Sequence, residues 1–242
     1  MPGAATPHAV RMPDAATPGG SPRVVPFGDS ALLAILGEAV DERVNRLAHA
    51  LAGAVDAQRS AGASPWGESV PGYASVLVRF DPRRVTSEAA TALLAELTGE
   101  VMRSKTPQDP DLPLVEIPVR YGGTDGPDLP TVAERTRLSA ASVVELHAAV
   151  TYRVFLLGFA PGFAYLGTLP EPLVLPRRSE PRTRVPAGSV AIAGRQTAIY
   201  PFETPGGWHL LGRTDLRLWD VARRPPATLQ PGRHVRFVPA RG

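Results

Sequence analysis

Cysteine is absent from this chain of 242 residues, and lysine occurs once, at Lys105. Without cysteine the protein can form neither a disulfide nor a thiolate-ligated zinc site, and it has no cysteine nucleophile. With a single lysine, Schiff-base chemistry and phosphate binding by lysine are essentially excluded. A chain without disulfides fits a cytoplasmic protein, which is the localisation we expect.

Long apolar segments are missing as well. No run approaches the ~20 residues that cross a bilayer, and the segment 1–22 lacks the apolar stretch of a secretory signal. Its proline, alanine, glycine and threonine content predicts a disordered tail. The net charge of +3 is small, and the arginines are interspersed with acidic residues, which argues against a nucleic-acid-binding surface. We therefore expect partners other than membranes and nucleic acids.

The motifs of the common self-contained enzymes are also absent. The sequence has no GxxxxGK[ST] phosphate-binding loop, no GxSxG elbow, no HExxH and no GxGxxG between a strand and a helix. Its five histidines are far apart and do not have the spacing of metal ligands. We expect neither a metal nor a biotin site. No catalytic residue can be assigned, and the chain does not look like a complete enzyme by itself.

The first part of the chain alternates predicted strands and helices. Apolar density and two-residue alternation predict strands over 27–37 and 73–80. Apolar residues at helical spacing predict helices over 40–59 and 87–103. The stretch 60–72, rich in glycine, proline and serine, predicts a loop between them.

These elements form a predicted α+β domain over 23–103, with helices covering one face of a sheet. A polar, proline-rich linker over 104–113 follows, and the remainder, 114–242, is a second domain. The sequence of the first part of this second domain predicts two short helices, and Ser139 is the expected N-cap of the second helix. After Thr151, short β-prone runs alternate with glycine and proline turns, which predicts a closed or nearly closed β-barrel.

Aromatic residues are concentrated among glycines in the segment 158–170, GFAPGFAYLGTLP. Glycine lets a backbone approach a neighbour or ligand closely, and aromatic rings supply apolar walls. Two interpretations stay open: a tight barrel corner filled by rings, or part of a binding surface. The candidate residues are Phe159, Pro161, Gly162 and Tyr165.

Arginines are concentrated in the segment 176–188, PRRSEPRTRVPAG. The guanidinium fork of arginine suits a carboxylate or phosphate. Arg182 and Arg184 share one face if the chain is extended here, so they are candidates for binding an anion. For Arg177 and Arg178 a solvated edge is the favoured interpretation.

The segment 193–214 holds the remaining candidates. Its Pro-Gly-Gly turn has backbone N–H groups that can bind an anion, and His209 is either a base or a structural hydrogen-bond partner. The full set of candidates in this segment is Gln196, Thr197, Tyr200, Gly206, Gly207, Trp208, His209 and Arg213.

Six motifs in a fixed order resemble one known family. They are FGDSALL, PGYASVLVRFDP, IPVRYGG with GPDL, LGFAPGFAYLGTLP, PRTRVPAGSVAIAGRQTAIYP and TPGGWHLLGRT. The family is described as allophanate hydrolase subunit 1, also called the B-type subunit of 5-oxoprolinase or the Kip sporulation-kinase inhibitor family, and it is a carboxyltransferase-domain subunit family. The resemblance extends from Val24 to Val238. Relatives often have glycine where this chain has Ala191 and Ala198.

The resemblance implies an α+β N-terminal domain followed by a mainly β, cyclophilin-like barrel. It also implies a second subunit, similar to allophanate hydrolase subunit 2 or the C-type subunit of 5-oxoprolinase, and a third subunit that handles 5-oxoproline. Such a complex uses ATP to open 5-oxo-L-proline to L-glutamate. The resemblance does not imply that ATP binds to this chain. Allophanate is hydrolysed by a different protein, an amidase with a Ser-Ser-Lys catalytic triad. The single lysine of this chain lies in the predicted linker, so the chain cannot form that triad.

Two functions therefore remain as hypotheses. In the first, the candidate residues line a small-molecule pocket shared with the second subunit, and Arg182, Arg184, Gln196, Tyr200 and the 205–208 turn hold an anionic intermediate. In the second, the chain binds and inhibits a sensor histidine kinase through exposed aromatic residues near 159–165.

Overall fold

The computed structural model describes residues 21–62, 64–105, 107–108 and 111–240. Almost all of the predicted tail, 1–22, lies outside the described residues. The chain divides into two compact units between Pro107 and Gln108, a point inside the segment 104–113. In the part of the chain that the structure describes, no helix is long and apolar enough to span a membrane.

The first unit is a four-stranded antiparallel sheet with two helices. Its strands have the spatial order β1-β2-β4-β3. Both helices pack against the strands, and their apolar residues form one core with those of the sheet. In chain order the elements are β1 (Arg23–Pro26), β2 (Ala31–Ile35), α1 (Glu42–Ser60), β3 (Trp66–Pro71), β4 (Ser75–Phe80) and α2 (Ser87–Arg103).

Both helices begin at a capping side chain. Asp41 accepts a hydrogen bond from the N–H of Val44, and Thr86 accepts one from Ala89. Such caps satisfy backbone donors that have no partner within the first turn of a helix. The apolar stripe that predicted α1 includes Leu47, which is completely buried in the core of this unit.

The sequence-based prediction for the sheet needs two corrections. The predicted strand 27–37 contains only β2, whereas β1 precedes it and was not predicted; Phe27 is exposed in the turn between the two strands. The predicted loop 60–72 contains β3, which is the last strand of the sheet. An edge strand forms hydrogen bonds on one side only, so it tolerates Gly67 and Pro71, which made this stretch resemble a loop.

The second unit is a closed seven-stranded barrel with two helices. Neighbouring strands follow the order β10-β7-β6-β13-β5-β12-β9, and β8 and β11 form a separate two-stranded sheet. All pairs are antiparallel except β5 with β13. The elements are β5 (Val115–Tyr121), α3 (Leu129–Thr136), α4 (Ala140–Ala148), β6 (Thr151–Leu157), β7 (Ala164–Gly167), β8 (Arg182–Val185), β9 (Ser189–Ala193), β10 (Gln196–Ile199), β11 (Thr204–Gly206), β12 (His209–Arg213) and β13 (His234–Pro239).

The predicted fold class is confirmed: an α+β unit is followed by a barrel of mainly β structure. Ser139 caps α4 by accepting a hydrogen bond from the Ser142 N–H. After Thr151 the only helical piece among residues 151–240 is a single 3₁₀ turn, Glu171–Leu173. Three short strands, β7, β8 and β11, were not predicted from the sequence as strands, because prolines and glycines interrupt their neighbourhood.

We expect Asn45→Ala to destabilise the first unit. Asn45 is completely buried in α1, and its Nδ2 donates to the carbonyl oxygens of Gly72 (3.0 Å) and Tyr73 (3.1 Å) in the turn between β3 and β4. Its removal leaves buried acceptors without this donor, so the free energy of unfolding should fall by about 1–3 kcal/mol, although alanine favours the helix. Urea denaturation measures the loss. Arg43→Ala, an exposed change on the same helix, is the control, and an equal loss in both variants would contradict the role of Asn45.

Candidate functional site

Small residues form part of the outer face of the barrel. Successive side chains of a strand point to opposite faces, so Val190 and Ile192 fill the barrel interior. Ala191, Ala193 and Ala198 belong instead to a second buried cluster. Because an alanine side chain is a single methyl group, larger side chains can lie close to the sheet at these positions.

Phe163, Tyr200 and Trp208 belong to the same buried cluster as these alanines, and Tyr165 packs against it. Together with Phe159, whose ring contacts Phe163 and Tyr200, we call these five rings the aromatic cluster: Phe159, Phe163, Tyr165, Tyr200 and Trp208. Phe163 is central, with its ring centroid 4.8 Å from Tyr165, 5.2 Å from Phe159, 5.3 Å from Tyr200 and 6.0 Å from Trp208. All four contacts are edge-to-face, a favoured arrangement of aromatic pairs. Phe163, Tyr200 and Trp208 are buried, so packing uses most of this aromatic surface.

Phe159 is the ring of the aromatic cluster that projects into solvent, with 63% of the residue exposed. Its φ of +65° lies in the left-handed region, which is unusual for a bulky residue and is found at functional sites. The tight turn continues through the exposed Pro161 to Gly162, whose φ is +79°. A Cβ on Gly162 would lie 3.0 Å from the carbonyl oxygen of Leu218, so glycine is needed there.

A buried carboxylate, Asp128, is the charged centre of the site. Arg182 donates to both of its oxygens (2.8 and 2.7 Å), and Nη1 of Arg178 donates to Oδ1 (2.9 Å). The backbone N–H of Leu210 donates to Oδ2 (2.7 Å). Burial by itself raises the pKa of the Asp128 carboxyl, but the hydrogen bonds from Arg182 and Leu210, with the charge of Arg178, hold that pKa below its usual range.

The sequence analysis did not single out Asp128 as a site residue. It directly precedes α3, where an aspartate normally caps a helix, but its side chain makes no capping hydrogen bond. The available signal was its place in the motif GPDL, immediately before the helix. Nothing in the local sequence indicates arginine partners that are 50 and 54 residues away.

The four arginines of the segment 176–188 have different environments. Arg178 and Arg182 share Asp128, whereas Arg184 forms a pair with Glu203 (2.6 Å) and remains largely exposed. Arg182 and Arg184 thus bind different carboxylates. The expectation of a solvated edge is wrong for Arg178, which is partly buried against Asp128. Arg177 is exposed, and its Cζ lies 6.0 Å from the centroid of the Trp208 ring.

Gly206 and Gly207 bring the chain close to the aromatic cluster. A Cβ on Gly206 would collide with the Tyr200 hydroxyl, so glycine makes room for that group. Gly207 contributes its carbonyl oxygen, which accepts a hydrogen bond from the N–H of Arg178 (2.9 Å). The two glycines therefore position the tyrosine and the arginine segment side by side.

Both tyrosines of the aromatic cluster carry protonated hydroxyls at neutral pH. Burial raises the pKa of the Tyr200 hydroxyl, and the charge of Arg177 opposes this rise. Burial likewise raises the pKa of the Tyr165 hydroxyl, again opposed by Arg177. The two hydroxyls can therefore donate hydrogen bonds, and the positive charge of Arg177 acts on both of them.

The remaining candidates contact the barrel backbone or its interior. Arg213 donates from Nε to the carbonyl oxygen of Ala187 (2.9 Å). His209 is buried, with Nε2 3.0 Å from the carbonyl oxygen of Pro176, so Nε2 is the donor. Burial lowers the pKa of His209, which keeps the ring neutral near pH 7. Gln196 begins β10 opposite Gly167 and Ala193, on the outer face.

Thr197 lies inside the barrel in a hydrogen-bonded chain with His147. The Thr197 hydroxyl donates to the Ala191 carbonyl oxygen (3.1 Å), so Nε2 of His147, 2.9 Å away, is the donor to Thr197. Nδ1 then accepts from the Tyr121 hydroxyl (2.7 Å). Burial lowers the pKa of His147 to about 3, so this chain links α4 to the barrel as neutral groups. Across the described ranges, no three His, Asp or Glu residues are grouped as metal ligands would be.

Comparisons with known proteins identify the family. A family model described as carboxyltransferase domain, subdomain C and D, matches residues 22–229. The protein of Bacillus subtilis (strain 168) that is named as the B-type subunit of 5-oxoprolinase is 39% identical over 222 residues, which are 88% of this chain and 90% of the relative. The chain therefore belongs to the carboxyltransferase C and D family, and the resemblance inferred from the motifs is confirmed.

This chain matches only part of the length of other relatives. The protein of Escherichia coli O157:H7 with the same name is 59% identical over 131 residues, 54% of this chain and 60% of the relative. The crystal structure of TTHA0988 is 42% identical with a TM-score of 0.72, and the match covers 88% of this chain but 40% of that chain. The match thus covers less than two thirds of the length of each of these two proteins.

We expect Asp128→Asn to destabilise the barrel strongly. The variant leaves Arg178 and Arg182 without a carboxylate in a partly buried place, which should cost about 3 kcal/mol of unfolding free energy at pH 7. Because the pKa of Asp128 is lower in the folded protein, its contribution is complete above the unfolded value near ~3.9 and is lost as the pH falls through the folded value. The difference between the variant and the original protein should therefore shrink below about pH 4.

Chemical denaturation between about pH 3 and pH 7 tests this expectation. Asp215→Asn is the matched control, since Asp215 pairs with Arg120 at the surface and is largely exposed. Little change in stability is expected for the control because exposed ion pairs contribute little. A loss at Asp128 no larger than that at Asp215 would contradict the central role of the buried carboxylate.

Proposed function

We propose that this member of the carboxyltransferase C and D family is a non-autonomous subunit of an ATP-dependent 5-oxoprolinase. The complex would open 5-oxo-L-proline to L-glutamate. The observation that carries the proposal is the match to the Bacillus subtilis protein, which is named as a 5-oxoprolinase subunit and matches over nearly the whole of both chains. A name that distinguishes one subunit by a letter also supports the presence of further subunits.

The proposed partners are two other proteins. One is a second carboxyltransferase-like subunit, of the kind called allophanate hydrolase subunit 2 or the C-type subunit of 5-oxoprolinase. The other is a third subunit that handles 5-oxoproline. The TTHA0988 chain supports the first of these, because this chain matches only 40% of its length. A polypeptide region joined to this fold in one relative is a reasonable candidate for a separate partner here.

The proposed chemistry begins with transfer of the terminal phosphoryl group of ATP to the amide oxygen of 5-oxoproline. Water then adds to the activated ring carbon, and the ring C–N bond breaks with the nitrogen leaving as the amine, which gives an acyl phosphate of glutamate. A second water hydrolyses the acyl phosphate to L-glutamate and phosphate. The intermediates are anionic, so positively charged and hydrogen-bond-donating groups stabilise them. The outer face of the barrel offers arginines and protonated tyrosine hydroxyls rather than an activated nucleophile, which fits a role in binding.

We place the proposed pocket at Arg182, Arg184, Gln196, Tyr200 and the turn 205–208, with its other wall on the second subunit. In this arrangement Asp128 holds Arg182 in position, and the negative charge of Asp128 partly neutralises the positive charge of Arg182. The substrate would then meet an aromatic and arginine surface, while the groups that carry out phosphoryl transfer and water addition come from the partners.

Omission of single subunits tests the proposal. The purified chain, the second subunit and the third subunit are mixed with 5-oxo-L-proline and ATP, and glutamate release is measured. We expect release to fall to background when this chain or ATP is omitted, and to return when the chain is added back. Undiminished release without this chain would reject the proposal.

Histidine-kinase inhibition is the second candidate function, and one observation favours it. Phe159 is exposed and held in an unusual backbone conformation, and exposed aromatic residues are common anchors of protein interfaces. If this function is correct, saturating protein should suppress autophosphorylation of a sensor histidine kinase, and Phe159→Ala should weaken the inhibition about tenfold. Phe27→Ala, an equally exposed phenylalanine of the first unit, is the control. Unchanged autophosphorylation with the original protein would reject this function.

A further inference from the structure

A groove on the surface of the second unit lies where its two helices meet the ends of two barrel strands. Tyr121 at the end of β5, Leu129 at the start of α3 and Pro239 at the end of β13 contribute to its walls, and α4 supplies the remainder. The groove has a volume of about 650 Å³, within the range of about 300–1,000 Å³ that is typical of binding sites. None of its residues belongs to the pocket proposed on the outer face of the barrel.

Small side chains form the α4 side of the groove. Ala141, Val144 and Ala148 line it at positions three and four residues apart, so they share one face of the helix. Another face of α4 packs into the barrel through the buried Val143 and His147. Because an alanine side chain is a single methyl group, the backbone of a second protein segment can approach α4 closely.

The Tyr121 wall of the groove is fixed by hydrogen bonds inside the barrel. Its hydroxyl donates to Nδ1 of His147 (2.7 Å), and Nε2 of His147 donates to Thr197 (2.9 Å). The Tyr121 and His147 rings also contact each other edge to face, with their centroids 5.8 Å apart. Leu129 is buried in the barrel core. The groove therefore exists before a ligand arrives, and its walls lose little conformational freedom on binding.

Glu145 is the only charged residue among the described residues that line the groove. It lies on α4 beside Val144, and it is exposed. In the described ranges, no arginine or histidine side chain forms an ion pair with its carboxylate. An apolar groove with one uncompensated carboxylate is complementary to a segment that carries apolar residues and a basic residue.

We propose that this groove binds an amphipathic helix of the second carboxyltransferase-like subunit, with a basic residue of that helix next to Glu145. This inference rests on the proposed function, which requires such a subunit. Amphipathic helices bind in apolar grooves through residues that are three and four positions apart. The small residues of α4 have the same spacing, so the ridges of one helix can fit between those of the other.

A second copy of this chain fits the groove less well than another protein does. The helices α1 and α2 bury their apolar residues in the core of the first unit. The helices α3 and α4 bury theirs in the barrel core. Every helix of the described residues therefore already packs its apolar face within its own unit. An amphipathic helix that is free to enter the groove has to come from a different protein, and the proposed complex supplies one.

Isothermal titration calorimetry of the full chain with the purified second subunit tests the proposal. Ala141→Trp places a large ring in the groove, and because Ala141 is exposed, the variant should keep the fold. We expect it to weaken binding about tenfold or more, since the ring prevents close approach of the partner helix. Glu145→Arg should weaken binding about tenfold at low salt and less at high salt, because it opposes the basic residue of the partner and salt screens that repulsion.

Ala92→Trp and Glu134→Arg are the matched controls, since Ala92 is an exposed alanine of α2 and Glu134 is an exposed glutamate of α3 outside the groove. Both should bind the second subunit as the original protein does. Circular dichroism checks that each variant is folded, and Glu145→Arg by itself decides if Ala141→Trp is not folded.

The proposal is overturned if the original protein does not bind the second subunit, or if a folded groove variant leaves the affinity unchanged. It is also overturned if the controls weaken binding as much as the groove variants do. If Ala141→Trp changes only the self-association of the chain in analytical ultracentrifugation, the groove is a contact between copies and the proposal is wrong. If Phe159→Ala weakens binding and Ala141→Trp does not, the second subunit binds at the aromatic cluster instead.

Glutamate release by the three-subunit mixture separates this inference from the proposed function. If the original mixture releases glutamate and Ala141→Trp releases as much while the second subunit is limiting, the docking surface is wrong and the function stands. If the groove variants weaken binding but the original mixture releases no glutamate, the docking surface stands and the function is wrong. The result we expect is a loss of glutamate release with Ala141→Trp that an excess of the second subunit restores, because mass action offsets the weaker affinity.

Discussion

The carboxylate of Asp128 accepts hydrogen bonds from Arg178, Arg182 and the backbone of Leu210, and the outer layer of the barrel depends on these bonds. The strands β8 and β11 pair only with each other, and an isolated two-stranded ribbon is marginally stable. Arg182 belongs to β8, so its bond to Asp128 fastens the ribbon to the start of α3. Because β11 pairs with β8, the same contact also determines where Gly206 meets Tyr200.

The second constraint is the small size of the residues under the aromatic cluster. Ala191, Ala193 and Ala198 occupy the outer face, whereas larger side chains fill the interior of the same strands. The bulky rings lie over these methyl groups and contact one another edge to face. Packing therefore accounts for the buried rings, and it leaves Phe159 at the surface. The charged segment 176–188 passes this cluster, which places Arg177 over Trp208.

The aromatic cluster and the arginine segment beside it contain no activated nucleophile, which fits a subunit that does not carry out the reaction by itself. The tyrosine hydroxyls remain protonated, the buried histidines remain neutral, and Asp128 is fully engaged by arginines. Groups in these states do not act as nucleophiles. A subunit that supplies one wall of a pocket needs no more than this, provided that another chain supplies the reacting groups.

Local pattern was sufficient for much of the fold. The helix predicted over 87–103 has those bounds in α2, and the alternation of 73–80 identified β4, because periodicity and caps act over a few residues. The edge strand β3 was missed, since its breakers are tolerated only by its position in the sheet. Likewise, the sequence marked the segment 176–188 as rich in arginine, but only the tertiary structure decided which arginines are neutralised. Asp128 is 50 residues from Arg178, and such a pairing follows from the path of the whole chain, which no local pattern contains.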